Sequence, residues 1–148
     1  MEAILFIGIQ ATGKTSFYTE KFLNTHVRIS LDLLNTRNKE QKFFDLCLEL
    51  QQRFVIDNTN PTQADRLRYI TAAKDRKFKV IGYYFESKIS DAKGRNAARA
   101  GKARVPDAGL HGTYSKLEMP TFAEGFDELY FVSIEENGFA VKEWQDEI

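Results

Sequence analysis

Apolar residues along this chain fall into two alternating patterns. Five short segments, Ala3–Ile7 (AILFI), Val27–Ile29, Phe54–Ile56, Val80–Phe85 (VIGYYF) and Leu129–Ile134 (LYFVSI), are apolar at nearly every position. Strands buried on both faces have this pattern. Between them lie longer amphipathic stretches that predict helices at about Lys14–Asn24, Leu33–Gln52, Thr62–Arg76 and Ser90–Ala100, with a further short helix after Val105-Pro106. Strands of this kind alternating with helices predict an α/β fold, a parallel sheet of about five strands with helices on both faces. The segment after Gly138 (FAVKEW) leaves two outcomes open, a late edge strand or Trp144 packed on the body. No repeat, low-complexity tract or linker interrupts the pattern, so residues 1–148 read as a single domain.

Composition narrows the class. Hydrophobic residues make up 43% and charged residues 28% of 148 positions, a globular balance that excludes intrinsic disorder. The longest apolar run, Ala3–Ile7, is too short for a membrane span or a signal core, and Met1-Glu2 leads into it without a basic segment. A cytoplasmic protein is expected. The single cysteine, Cys47, leaves no internal disulfide or thiolate metal cluster. Among Phe43, Phe44, Leu46, Leu48 and Leu50 it reads as a buried, inert thiol. Net charge is zero, but the average hides an asymmetry. Residues 93–104 (KGRNAARAGKAR) hold five basic side chains and no acidic one, leaving 16 basic against 21 acidic elsewhere. Such a segment is a candidate phosphate-binding element or, alternatively, a solvated basic face.

The strongest chemical signal follows the first strand directly. Gly8-Ile9-Gln10-Ala11-Thr12-Gly13-Lys14-Thr15 is a full G-x-x-x-x-G-K-[ST] match, with a strand before it and a helix after it. Glycines let backbone N–H groups wrap phosphates, and the positive end of the following helix adds field. Gly8, Gln10, Ala11, Thr12, Gly13, Lys14, Thr15 and Ser16 are therefore the expected ATP contacts. Lys14 should reach the β- and γ-phosphates, and the Thr15 hydroxyl should sit on Mg²⁺. A second magnesium element should end a neighbouring apolar strand, and Phe54-Val55-Ile56-Asp57 offers Asp57, directly or through water. Asp57 could instead cap a turn into Asn58-Thr59-Asn60-Pro61. Phosphoryl transfer to a hydroxyl also needs a group that takes its proton. Asp32 closes Val27-Arg28-Ile29-Ser30-Leu31-Asp32 at the carboxyl end of the second strand, where ligands of parallel sheets bind. Equally, Ser30 or Asp32 could merely cap the helix that starts there.

In their order along the chain, these residues resemble the 5′-hydroxyl polynucleotide kinase family, the kinase domain of phage and eukaryotic polynucleotide kinase–phosphatases. The likeness rests on Gly8–Thr15, Asp32, Asp57-Asn58-Thr59-Asn60-Pro61, Arg95-Asn96-x-x-Arg99, Val105-Pro106 and Glu124-Gly125-Phe126. It spans Ala3 to about Ile134. The resemblance implies that Asp32 is the general base and that Arg99 is a lid arginine on the transferring phosphate, with Arg95 its neighbour. It also implies that Val105-Pro106 lines the acceptor channel and that a basic helical lid covers about residues 90–117. Two departures stand out. Ala11 occupies a position often glycine in the family, and Asn35 stands three residues after Asp32 where the family has an arginine, a role that Arg37 could take. The D-x-D-x-T pattern of a phosphatase half is absent.

The expected activity is transfer of the γ-phosphate of ATP to the 5′-hydroxyl of a nucleic acid end. A kinase for a nucleoside or sugar, or a non-catalytic ATP-binding regulatory module, would carry much the same motifs, because the fold does not fix the acceptor. His26 and His111 are expected in loop or capping roles, and Tyr69, Tyr83, Tyr84 and Phe85 in the core.

Overall fold

A computed structural model describes residues 1–145 of the chain. Its elements run β1 (Glu2–Ile7), α1 (Lys14–Lys21), β2 (Val27–Ile29), α2 (Leu31–Leu34), α3 (Arg37–Leu50), β3 (Phe54–Ile56), α4 (Gln63–Asp75), β4 (Lys79–Phe85), α5 (Ile89–Ala97), α6 (Asp107–Lys116), β5 (Glu128–Glu135) and β6 (Gly138–Glu143). Short 3₁₀ turns cover Gly101–Ala103 and Phe122–Glu124. The sheet has six strands in the order β2-β3-β1-β4-β5-β6. β1 pairs in parallel with both β3 and β4, β2 with β3 and β4 with β5, while β6 runs antiparallel to β5.

The uninterrupted apolar run of β1 has a direct cause. Successive side chains of a strand point to opposite faces, and both faces here are covered. Ala3, Leu5 and Ile7 pack with Phe44, Cys47 and Leu48 of α3 and Tyr69, Ile70 and Ala73 of α4. Ile4 and Phe6 pack with Phe17, Tyr18 and Phe22 on the α1 side. There the Phe6 ring meets Phe17 at 5.9 Å and Phe85 at 4.9 Å, both edge-on. The expected core positions Tyr69, Tyr84 and Phe85 are buried, while Tyr83 is half-buried at the edge of the core. Cys47 is buried too, and burial pushes its thiol up in pKa.

Three expectations change. The single helix read over Leu33–Gln52 is two helices. Asn35 leaves the helical region (φ 72°) and Thr36 restarts the chain, its hydroxyl accepting from the Lys39 N–H at 3.2 Å as the N-cap of α3. Asn tolerates positive φ and Thr bonds its own backbone, so two local preferences override a continuous apolar period. Helix α1 stops at Lys21 and α5 at Ala97, short of the expected Asn24 and Ala100. The sheet also gains a sixth strand, because Glu136-Asn137 turn the chain back onto β5, pairing Glu135 with Gly138. Both outcomes left open for the tail occur together, since Trp144 packs its ring against Tyr84 at 5.4 Å.

The segment between β4 and β5, where the resemblance leads one to expect a lid, carries α5 and α6. Buried Asn96 joins its two halves, donating to the Val105 carbonyl at 2.5 Å and accepting from the Val105 N–H at 2.9 Å. Underneath, Ala92 and Leu110 pack with Ile9 and Ala11 of the loop after β1. Within the described residues, no helix is long and apolar enough to cross a membrane.

Candidate active site

Chain reversal at β1 opens a crevice beyond the carboxyl ends of β1 and β3, the place where open α/β sheets bind ligands. Gly8–Thr15 leaves β1 into this crevice. Gly8 passes so close to β4 that a Cβ would stand 3.1 Å from the Phe85 Cβ and carbonyl oxygen. Gly13 adopts φ 91°, and a Cβ there would lie 2.8 Å from the Phe139 ring. Gly8 is thus required by its close approach to the Phe85 backbone, and Gly13 by its positive φ. Ala11 takes a positive φ of 61°, a strain of about 1–2 kcal/mol for a non-glycine residue. Its methyl group is buried against Ile9, Ala92 and Leu110, which offsets about 0.8 kcal/mol of that cost. This is how the loop accommodates alanine there.

The Lys14 ammonium closes the loop from inside, donating to the carbonyls of Gly8 (2.9 Å) and Ile9 (2.6 Å). Desolvation lowers its pKa from 10.5 to about 8; the Asp57 and Asp32 carboxylates act against this shift and Arg99 adds to it. Thr15, on the first turn of α1, donates its hydroxyl to Asp57 Oδ2 at 2.9 Å. The two residues expected to attend magnesium are therefore adjacent. They supply hard oxygen donors, and Mg²⁺ typically takes one or two protein oxygens with water and phosphate completing its octahedron. No cluster of three or more acidic, His or Cys side chains among the described residues could hold a metal alone. The arrangement fits a metal that arrives with a nucleotide's phosphates.

Arg28 is a third member of this group that sequence reading passed over. From the middle of β2 it donates Nε to Asp57 Oδ2 at 2.8 Å and approaches the Thr15 hydroxyl at 3.3 Å. A cation inside a three-residue apolar strand is a local signal that could have flagged it.

The D-N-T-N-P run divides its work by position. Asp57 meets Thr15, Asn58 accepts from the Leu31 N–H at 2.9 Å, the Thr59 carbonyl accepts from Gly8 N–H at 3.0 Å, and Asn60 donates to the Phe6 carbonyl at 2.7 Å. One loop thereby ties β1, the phosphate loop and the start of α2 together. Ser30 caps α2, its hydroxyl accepting from the Asp32 N–H at 3.2 Å. Of the two capping candidates, then, Ser30 is the cap, and the Asp32 carboxylate faces the cleft.

That cleft has a volume of about 640 Å³. It brings together Gln10, Ala11, Lys14, Thr15, Asp32, Asp57 and Arg99 among the expected site residues. Arg37 and Lys102 also line it, and Lys102 reaches from the lid to donate to Asn35 Oδ1 at 3.2 Å. Five expected residues are not part of this wall: Gly8, Thr12 and Gly13 shape the loop behind it, and Arg95 and Ser16 stand apart. Arg95 donates Nε to the Ala11 carbonyl at 2.5 Å, latching the lid onto the phosphate loop, and Ser16 lies exposed on α1. Sequence reading also missed Glu40, buried in α3 behind the cleft, because a carboxylate in a helix's first turn gives no local sign of burial.

Comparison with known proteins adds to this geometry. No family model matches the chain. Its sequence is 26% identical over 150 residues to a bifunctional polynucleotide phosphatase/kinase of Schizosaccharomyces pombe, covering 98% of this chain and 36% of that protein. It is 29% identical over 140 residues to a putative bifunctional polynucleotide phosphatase/kinase of Acanthamoeba polyphaga mimivirus, covering 89% and 33% respectively. The chain thus spans about a third of the length of the curated relatives it matches. Among solved structures, Chaetomium thermophilum Kti12 in complex with ADP-AlF3 superposes with TM-score 0.68 at 13% identity, over 91% of this chain and 92% of that one. A gluconokinase from Sinorhizobium meliloti 1021 gives TM-score 0.62 at 16% identity, over 89% and 82%. At such identities the structures speak for the fold alone. The chain is thus similar to polynucleotide phosphatase/kinases along nearly its whole length, and its fold is that of P-loop kinases.

Proposed function

We propose that this domain is an ATP-dependent, Mg²⁺-assisted kinase whose acceptor is the 5′-hydroxyl end of a nucleic acid. The observation that carries this reading is one continuous cleft with a phosphate cradle at one end and, facing it, a carboxylate set among cations. Lys14 and the loop amides hold the phosphates, while Thr15 and Asp57 attend the metal, which when bound neutralises charge on the β- and γ-oxygens. Asp32 accepts the proton of the attacking hydroxyl. Arg99, from the lid, meets charge that develops on the transferring group, and Arg95 keeps the lid on the loop. Arg37 and Lys102 supply positive charge on the acceptor side, where Asn35 replaces the arginine that the resemblance leads one to expect. Curated relatives named as polynucleotide phosphatase/kinases support the choice of acceptor.

An acceptor series tests this. With γ-labelled ATP, kcat/KM is expected to rise from nucleoside to nucleoside 3′-phosphate to short oligonucleotide. It should fall with salt, with a logarithmic slope of about −0.7 per neutralised phosphate. A nucleoside or sugar that equals the oligonucleotide, without salt dependence, would leave a small-molecule kinase. No transfer to any acceptor would leave a nucleotide-binding module.

A further inference from the structure

Glu40 has no part in the scheme above, yet its buried carboxylate accepts five hydrogen bonds. It sits in the first turn of α3 with its side chain fully buried. One carboxylate oxygen accepts from the Tyr69 hydroxyl at 2.7 Å and from Arg68 Nη2 at 2.5 Å, and the other accepts from Asn58 Nδ2 at 2.7 Å. Arg37 Nη1 bridges both oxygens at 3.3 and 3.2 Å. A buried carboxylate with so many donors stays ionised, and its pKa is lowered because the hydrogen bonds outweigh desolvation.

Two of these four partners lead to the cleft. Asn58 uses its amide nitrogen on Glu40 and its carbonyl oxygen on the Leu31 N–H. Leu31 opens the single-turn helix that carries Asp32, and a four-residue helix has too few internal bonds to hold itself in place. Arg37 lines the acceptor side of the cleft, while its own side chain is mostly exposed. Without a fixed counter-charge, a long exposed cation would sample many rotamers. The other two partners, Arg68 and Tyr69, come from α4 and anchor the carboxylate to that helix. Arg68 also lies over the Tyr69 ring, 4.2 Å from its centroid.

We propose that Glu40 is the positioning residue of the acceptor half of the site, fixing the turn that bears Asp32 through Asn58 and the orientation of Arg37 directly. This inference rests on Asp32 and Arg37 serving the acceptor as proposed above. Its consequence is a division of labour: the phosphate loop's partners set nucleotide binding, and the Glu40 network sets acceptor binding and the rate of transfer. A misplacement of about 1 Å in such a site costs on the order of 100-fold in rate.

The test is a mutant cycle on the full chain, using a 5′-hydroxyl oligonucleotide as the acceptor probe. Glu40→Gln keeps shape and removes charge. It should raise acceptor KM and lower kcat by about 10- to 100-fold, leaving the ATP dissociation constant within about twofold. Asn58→Ala should reproduce mainly the kcat loss and Arg37→Ala mainly the KM rise. Each should be non-additive with Glu40→Gln, because coupled residues share one effect. If Glu40→Gln does not fold, the cycle of Asn58→Ala with Arg37→Ala still decides, since the Glu40 carboxylate links them. Lower melting temperature with unchanged kinetics, or strict additivity, would overturn the proposal and leave Glu40 a packing group. Failure of the wild-type chain to phosphorylate the oligonucleotide while labelling another hydroxyl compound would overturn the acceptor reading instead. The same cycle would then be run on that compound, with the same two outcomes for Glu40.

Discussion

At the scale of single residues, Lys14 makes a sharp statement about pH. Its ammonium titrates near 8 in the free protein because desolvation outweighs the nearby carboxylates. Bound polyphosphate favours the charged form. ATP affinity should therefore be flat below about pH 7, fall as pH rises through 8, and carry uptake of up to one proton on the alkaline side. The sign for stability follows from the same shift. A lysine depressed below its unfolded value opposes folding while charged, and that opposition fades between pH 8 and 10.5. Calorimetric titration with ATP in two buffers of different ionisation heat reads the proton directly; equal heats at pH 9 would contradict it. Asp32 and Ser30 separate cap from base. Ser30→Ala should cost about 1 kcal/mol of stability through the lost cap. Asp32→Asn should leave thermal stability and ATP affinity near normal while slowing transfer by roughly 100-fold or more. A thermal melt beside a single-turnover rate distinguishes them, and a stability loss with an unchanged rate in Asp32→Asn would send the search for the base elsewhere.

At the scale of elements, the lid is held to the body by Arg95 to Ala11, Gln10 to Thr113, Lys102 to Asn35 and a small apolar base. Basic residues on it are not equivalent. Arg99 faces the cleft, whereas Arg104 does not line it. Arg99→Ala should lower kcat by orders of magnitude with little effect on ATP affinity, because a contact to developing charge is strongest in the transition state. Arg104→Ala should change kcat only slightly. Steady-state kinetics of the two variants side by side checks this, and small, equal effects would return residues 93–104 to a solvated basic face.

At the scale of the whole molecule, the last hairpin supports the first loop. Phe139 of β6 lies against Gly13 and meets the Phe17 ring edge-on at 5.2 Å. Residues at opposite ends of the sequence thus shape the cradle together. Phe139→Ala should cost about 2 kcal/mol, below the 3–5 of a fully buried Phe because this ring is only half-buried. It should also weaken ATP binding several-fold by loosening Gly13. Urea unfolding with and without ATP measures both effects, and destabilisation with unchanged ATP binding would uncouple the hairpin from the loop.

The sequence by itself determined what depends on neighbours along the chain. Strand positions follow from runs of Val, Ile, Phe and Tyr, and the phosphate loop from glycine spacing between a strand and a helix. The candidate base and the D-N-T-N-P run were legible through their places at strand ends. Even the sixth strand had a sign in Asn137-Gly138, a pair favoured in hairpin turns. What the tertiary structure decided are the pairings between distant residues. These are Arg28 beside Asp57, Glu40 behind Asn58 and Arg37, Lys102 across to Asn35, and Phe139 under Gly13. Such contacts depend on how the sheet orders its strands and on which face of each helix turns inward. Both are settled by burial over the whole chain, so no local window of residues contains them.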